Sequence, residues 1–483
     1  MRTRSSVFAA AAAVTVAVLT VTGNPASAGF GESAGTAEGA KGRAAAAQKP
    51  PTGGQGIGDP YYPSDGNLGY DVADYTVKLS YDPAAGSIAA TTTITARATS
   101  ALSSFNLDFG SLTIDQLTVN GQPATYRREF AHELVVTPAA AVASGTTFTT
   151  AVTYHGVPEG VAWKPQNDGA VVVLDEPHSA TVWYPSNDHP QDKATFHLEA
   201  TVPAPYAVVS NGTEGATTTA PGPGGSTLTT YRWNLVEPTT TYLTYFGVDK
   251  LTFKRSTLAD GTPVVDTYAP GATGQQANEA KLPEIIDLLE EKWGPYPATA
   301  AGGHFLDTSI GFSLETYTRP VYTAGAGIQT IAHELAHQWW GDHVSIKYWR
   351  DICLNECFAS YSQWLWDEHN GTDLDARYKS SVERLGFKYK LYDMGAGNEF
   401  TGGGVYTKGK YFLHALRHKL GNDAFYSSLR AVLTEYADRN ISMPELRDEL
   451  AERTGVDLTS FWAEWMGTRK PSFANLYPGS LGG

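Results

Sequence analysis

Cysteine is almost missing from this chain. Cys353 and Cys357 are the only two in 483 residues, so no disulfide framework supports the fold and a buried apolar core must do so. Basic charge is also in deficit. Lysine and arginine number 35 against 50 aspartates and glutamates, a formal charge of −15. That balance argues against nucleic acid and anionic membranes as partners, since both select clustered positive charge. Long apolar runs are scarce too. The longest, residues 8–21, holds about 14 residues, short of the roughly 20 that span a bilayer, so no membrane anchor is expected.

What surrounds that run is informative. Arg2 and Arg4 precede it, and Ala26, Ser27 and Ala28 follow it, which is the order of a secretory signal peptide. Residues 1–28 therefore read as an export signal, with cleavage after Ala28 and a secreted, extracellular product. Losing the two arginines takes the charge from −15 to −17. Residues 29–56 are rich in Gly, Ala and Pro without apolar periodicity, and read as a flexible leader.

Hydrophobic residues make up 42% of the chain and aromatics 11%, enough to fill the cores of two domains. From 57 to 250 the chain runs in short alternating stretches rich in Thr, Val, Tyr and Phe, the mark of an all-β domain. "YTVKLSY" places Tyr75, Val77, Leu79 and Tyr81 on one face, and Asn120 and Gly121 stand where a two-residue hairpin needs positive φ. Residues 251–475 are mainly helical. "NEAKLPEIIDLLEEKW" sets Ile285, Leu288 and Leu289 on one stripe, with Pro283 tolerable only in the first turn. Further helices are predicted at 327–340, 352–369, 406–420, 423–436, 443–453 and 457–466, with extended segments near 250–270 and 303–323. Residues 476–483 are assigned to a C-terminal tail.

The stretch "TIAHELAHQWWGDH" carries three of the chain's 12 histidines. His333 and His337 are four apart, so on a helix both imidazoles reach one ion. Zinc accepts two nitrogens and a carboxylate while keeping one position open, and Glu334, beside the first imidazole, is free to act as a base. The bland alternative is a helix whose histidines make ordinary hydrogen bonds. Two third ligands suggest themselves. His343 has the metzincin spacing, but that motif needs glycine at 340, where Trp340 stands. Glu356 lies nineteen residues past His337 in a segment with helical apolar spacing.

"HELAH", eighteen intervening residues and then Glu356 resemble the zinc signature of the aminopeptidase-N family of gluzincins, which includes leukotriene hydrolase. The similarity extends to "EKWGPYP" and to "EPHSATVWYPSNDHPQDKATF". It implies a multidomain α+β protein: an N-terminal all-β domain with a saddle-like antiparallel sheet, then a thermolysin-like, mainly α catalytic domain. It implies one Zn2+ per chain on His333, His337 and Glu356, with Glu334 as general base. Tyr406, in "VYTKGKYFLHALR", takes the place of the tyrosine that donates to the developing oxyanion. Glu315, in "GFSLETYTRP", and Glu176, opening "EPHSA", match the acids that hold a substrate's free ammonium group. Leu314 and Thr316 replace the family's usual Met and Asn beside the first of these.

The resulting expectation is a secreted, monomeric zinc aminopeptidase acting on peptides with a free N-terminus. Larger members append further domains; this chain ends at residue 483, so the resemblance implies two domains and an open cleft. Three alternatives stand beside it: a thermolysin-like endopeptidase that does not need Glu315 and Glu176, an epoxide hydrolase activity on the same metal, and a catalytically silent peptide-binding protein. Cys353 and Cys357 are open to four readings: packed free thiols, a disulfide, a redox control or extra metal ligands.

Overall fold

The alternation in "YTVKLSY" produces the strand Tyr70–Asp82, which buries Tyr75, Val77, Leu79 and Tyr81 on one face. The computed structural model describes residues 53–482, residue 131 excepted, and Tyr70–Asp82 lies within a nine-stranded sheet. One correction to the expected antiparallel sheet is needed. Tyr70–Asp82 pairs antiparallel with Ser87–Ala98 but parallel with Ala194–Pro203. The long excursion between residues 82 and 194 supplies the crossover that a parallel pair requires. Asn120 and Gly121 adopt φ of 50° and 73° and close the predicted hairpin, with Val119 opposite Gln122.

The domain edges differ in detail from the expectation. Residues 53–56, assigned to the leader, join the β half: the Gly53 amide donates to the Ser104 carbonyl at 2.9 Å, and Gln55 bridges Asn67. Residues 1–52, with the expected signal peptide and the rest of the leader, lie outside the described residues. At the other end the expected tail is packed, with Leu481 buried and Ser480 Oγ 2.8 Å from His418 Nδ1. Among the described residues no helix is long and apolar enough to cross a membrane.

The second half opens with a four-stranded sheet of Thr252–Thr257, Pro263–Tyr268, His304–Phe305 and Val321–Tyr322. Leu282–Trp293 carries Pro283 in its first turn, where the missing N–H costs nothing, and buries Ile285, Leu288 and Leu289. The helices Ile328–His337, Cys353–His369, Gly409–Leu420, Asn422–Glu435, Met443–Thr454 and Thr459–Met466 follow. The predicted span 327–340 ends early, at His337, and the chain turns back through Gly341 at φ 125°. The predicted start at 406 falls in a wide turn, Gly404–Lys408, ahead of the regular helix. Leu374–Ser381 is an additional helix, begun by Asp373, whose side chain accepts from the Ala376 amide. Cys353 and Cys357 form a disulfide at the start of their helix, both fully buried, with Cα atoms 4.7 Å apart.

Arg319 joins the two halves. It is fully buried, donates to the carbonyls of Ser210, Gly212 and Val265, and lies 4.7 Å from the Trp233 ring centre. Two of those carbonyls belong to the β half. Arg319→Met fills the volume but strands all three acceptors, so we expect a loss of about 2–4 kcal/mol in denaturant unfolding. A variant as stable as the parent shows that water replaces the guanidinium there.

Candidate active site

The helix Ile328–His337 buries Ile331, Ala332, Leu335 and Ala336, which fixes its rotation and turns His333 and His337 toward the helix Cys353–His369. Trp340 stacks on Phe358 with ring centres 4.0 Å apart and ties the two segments together. Glu356, one turn into the second helix, then meets both imidazoles. Its Oε2 stands 3.1 Å from His333 Nε2 and 3.7 Å from His337 Nε2, and the two Nε2 atoms are 3.2 Å apart. Tetrahedral zinc with bonds of ~2.0–2.1 Å holds its ligand atoms ~3.3–3.4 Å apart, so this triangle fits the ion.

The surroundings prepare the donors. His337 Nδ1 lies 3.1 Å from the Trp340 carbonyl, which accepts its proton and leaves the Nε2 lone pair free. That carbonyl is set by the turn at Gly341, where a Cβ would meet Asn355 Cγ at 3.1 Å and His337 Nδ1 at 3.3 Å. Glycine at 341 is thus required by close approach as well as by its φ. Burial pushes the His333 imidazole down to about 4, so the ring is neutral, the form that ligates. His343 is turned away and pairs with Asp438 at 3.1 Å, so Glu356 is the group that could complete a metal site with His333 and His337.

Glu315 sits on a loop pinned to the end of the histidine helix. Gln338 Nε2 donates to the Glu315 carbonyl at 3.1 Å, and Gln338 Oε1 accepts from the Thr318 amide at 2.7 Å. Thr316 Oγ1 donates to the Arg319 carbonyl at 2.7 Å, so threonine in place of the family's asparagine still closes the turn. The Tyr242 hydroxyl donates to Glu315 Oε1 at 3.1 Å and accepts from Asn355 Nδ2 at 3.2 Å, a link from the β half to the residue beside Glu356. Tyr242 is a site residue that the sequence did not disclose, because it lies in a run of tyrosines and threonines without diagnostic spacing.

All seven residues singled out from the sequence line one cavity of about 390 Å³: His333, His337, Glu356, Glu334, Tyr406, Glu315 and Glu176. Asp175, Phe312 and Phe400 complete its wall, and no lysine or arginine among the described residues does so. Burial, then Glu315 and Glu356, push the Glu334 carboxyl well above its ordinary range. Burial and Glu315 do the same to Glu176, whose Oε1 is buried without a hydrogen-bond partner among the described residues. The Tyr406 hydroxyl donates to Glu356 Oε1 at 3.0 Å, and burial together with that carboxylate holds the phenol protonated far above its usual range. A largely buried pocket with this surplus of carboxylates is built for cations.

Residues 320–465 match the peptidase family M1 domain and residues 71–243 the peptidase M1 N-terminal domain, well over half of the chain between them. The chain belongs to the M1 peptidase family. An M1 zinc metallopeptidase of Deinococcus radiodurans, solved as a glutamate-to-alanine variant with a Tyr-Ser-Ala substrate, is 28% identical with a TM-score of 0.79. The match covers 86% of this chain and 99% of that one. A two-domain M1 zinc metallopeptidase variant bound to L-tryptophan gives a TM-score of 0.80 at 28% identity, over 86% and 99% of the two chains. Aminopeptidase N of Lactococcus lactis subsp. lactis is 29% identical over 326 residues, 60% of this chain but only 38% of that protein. The stretch that this M1 peptidase matches thus spans well under half the length of that aminopeptidase N. Zinc is the metal indicated by the family and by the donor set His333, His337 and Glu356.

Proposed function

We propose that this M1 peptidase is a secreted aminopeptidase that removes the first residue of peptides with a free N-terminus. The observation that carries the reading is the placement of Glu176 and Glu315 in one cavity with the His333, His337 and Glu356 triangle, facing no basic side chain. One cation belongs on the triangle. A second, the ammonium of a substrate, satisfies the two remaining acids by charge-assisted hydrogen bonds. That related M1 zinc metallopeptidases hold a tripeptide substrate and a free amino acid supports the same reading. Export is supported by the pattern of residues 2–28.

Zinc, when bound by His333, His337 and Glu356, supplies Lewis acidity and lowers the pKa of water. The protein's own groups do the rest. Glu176 and Glu315 hold the ammonium and so set which peptide bond is presented. Glu334 takes a proton from the attacking water and returns it to the leaving amine. Tyr406 turns its hydroxyl from Glu356 to the carbonyl oxygen as that oxygen gains charge. Tyr242 and Gln338 keep Glu315 in place.

The test compares a free peptide with its N-acetyl form. Acetylation removes the charge and two ionic hydrogen bonds, so kcat/KM is expected to fall at least about 10²-fold, from ~1.5–3 kcal/mol per bond. Equal rates for the two peptides assign the cavity to an endopeptidase instead.

A further inference from the structure

Away from the cavity, His414 and His418 repeat the four-residue spacing of His333 and His337 on the helix Gly409–Leu420. Their ring centres are 4.8 Å apart, the same separation as in the zinc pair. Both Nε2 atoms converge on one carboxylate oxygen, Asp375 Oδ1, at 3.0 and 2.9 Å. Asp375 comes from the first turn of Leu374–Ser381, so the carboxylate reaches the histidine pair from a second helix, as Glu356 does at the catalytic triangle.

The outer face of each imidazole is backed by a hydroxyl. His414 Nδ1 lies 3.2 Å from the Tyr361 hydroxyl and His418 Nδ1 2.8 Å from Ser480 Oγ. A hydroxyl donates or accepts as required, so both rings can carry their proton on Nδ1 and leave Nε2 free for a cation. The His414 side chain is 1% exposed, His418 15% and Asp375 42%. His414 therefore anchors the cluster at its buried end, while Asp375 and His418 open onto a cavity of about 490 Å³ that Thr372, Asp373 and Asn422 also line. The neighbouring cation, Arg417, is already engaged by Glu368 at 2.9 Å and by Asn422 at 2.8 Å.

We infer that Asp375, His414 and His418 form a second metal site, for a divalent transition ion of the zinc class, separate from the catalytic triangle. Two imidazoles and a single carboxylate select such an ion over calcium or magnesium, which demand oxygen. Without metal, each neutral imidazole carries its proton on Nε2 and donates to Asp375. Ion binding moves that proton to Nδ1, where the Tyr361 and Ser480 oxygens accept it, so the exchange is a change of tautomer without net proton release. The site fastens Leu374–Ser381 to Gly409–Leu420, and through Ser480 it holds the C-terminal turn. His414 also touches Tyr361, on the helix that carries Glu356, so the bound ion braces that helix from the side opposite the catalytic cavity. Its role is structural.

The test counts zinc by mass spectrometry in the full chain after chelation and reconstitution with Zn2+ alone. The parent is expected to hold two ions per chain. His418→Gln and Asp375→Asn each hold one and keep peptidase rates within about twofold, because neither residue lines the catalytic cavity. His337→Ala also holds one, and the pair His337→Ala with His418→Gln holds none. In the His337→Ala background the unfolding temperature rises with added Zn2+, and in the double variant it does not. This arm is read without any peptidase activity, so it stands apart from the proposed function. One ion in the parent, or two remaining in both His418→Gln and Asp375→Asn, overturns the inference.

Discussion

Glu334→Gln is expected to bind catalytic zinc in full and to turn over peptide about 10²–10⁴-fold more slowly than the parent. Glutamine keeps the shape and the hydrogen-bonding reach of Glu334 but has no basic oxygen. Zinc should be unaffected, because the triangle of His333, His337 and Glu356 closes without Glu334. Zinc content and kcat measured on one sample therefore separate the base from the ligands. A second cluster complicates the choice: donor atoms of Glu315, Glu334 and His337 also lie within 4.8 Å of one another. If the metal sat there, Glu334→Gln would lose zinc and activity together, and the base assignment would fail. A variant with full zinc and the parent's kcat defeats it by the other route.

The metal triangle was legible because its logic is local. Four residues make one helical turn, and an acid on the next helix needs only that the two helices pack. The residues that support it were not. Tyr242 and Phe400 come from segments far from the histidine helix in the chain, and no spacing rule links them to it. Gly341 could be read from sequence only as a misplaced metzincin glycine. Its requirement comes from contact with Asn355 and His337 across the turn. The helix Leu374–Ser381, "LDARYKSS", buries only Leu374 and Tyr378, too few to set a period, and its one signal was the capping Asp373. His414 and His418 showed the spacing of a metal pair as plainly as His333 and His337, but without an adjacent acid nothing in the sequence marked them. Asp375 lies 39 residues before His414, and only the fold brings it near. The parallel pairing of Tyr70–Asp82 with Ala194–Pro203 was hidden for a related reason, since alternation reports which face a strand buries and not the direction of its neighbour.

Tyr406→Phe is expected to lower kcat about 10²–10³-fold while leaving KM within a few-fold, the signature of an interaction made only as the oxyanion forms. The hydroxyl is the sole atom removed, and the ring that lies 6.0 Å from His333 is kept. Its proton is available at any working pH, because burial and the Glu356 carboxylate disfavour the phenolate. The hydroxyl's present partner offers a rival explanation, however. At 3.0 Å from Glu356 Oε1 it could serve by steadying a zinc ligand. The two roles make different demands on the metal. A donor to the oxyanion leaves zinc affinity near the parent value in Tyr406→Phe, whereas a residue that positions Glu356 loses affinity by about 10–100-fold, as supporting groups around metal sites commonly do. Zinc affinity and kcat on the same variant therefore decide between them, and a kcat equal to the parent's removes Tyr406 from the reaction altogether.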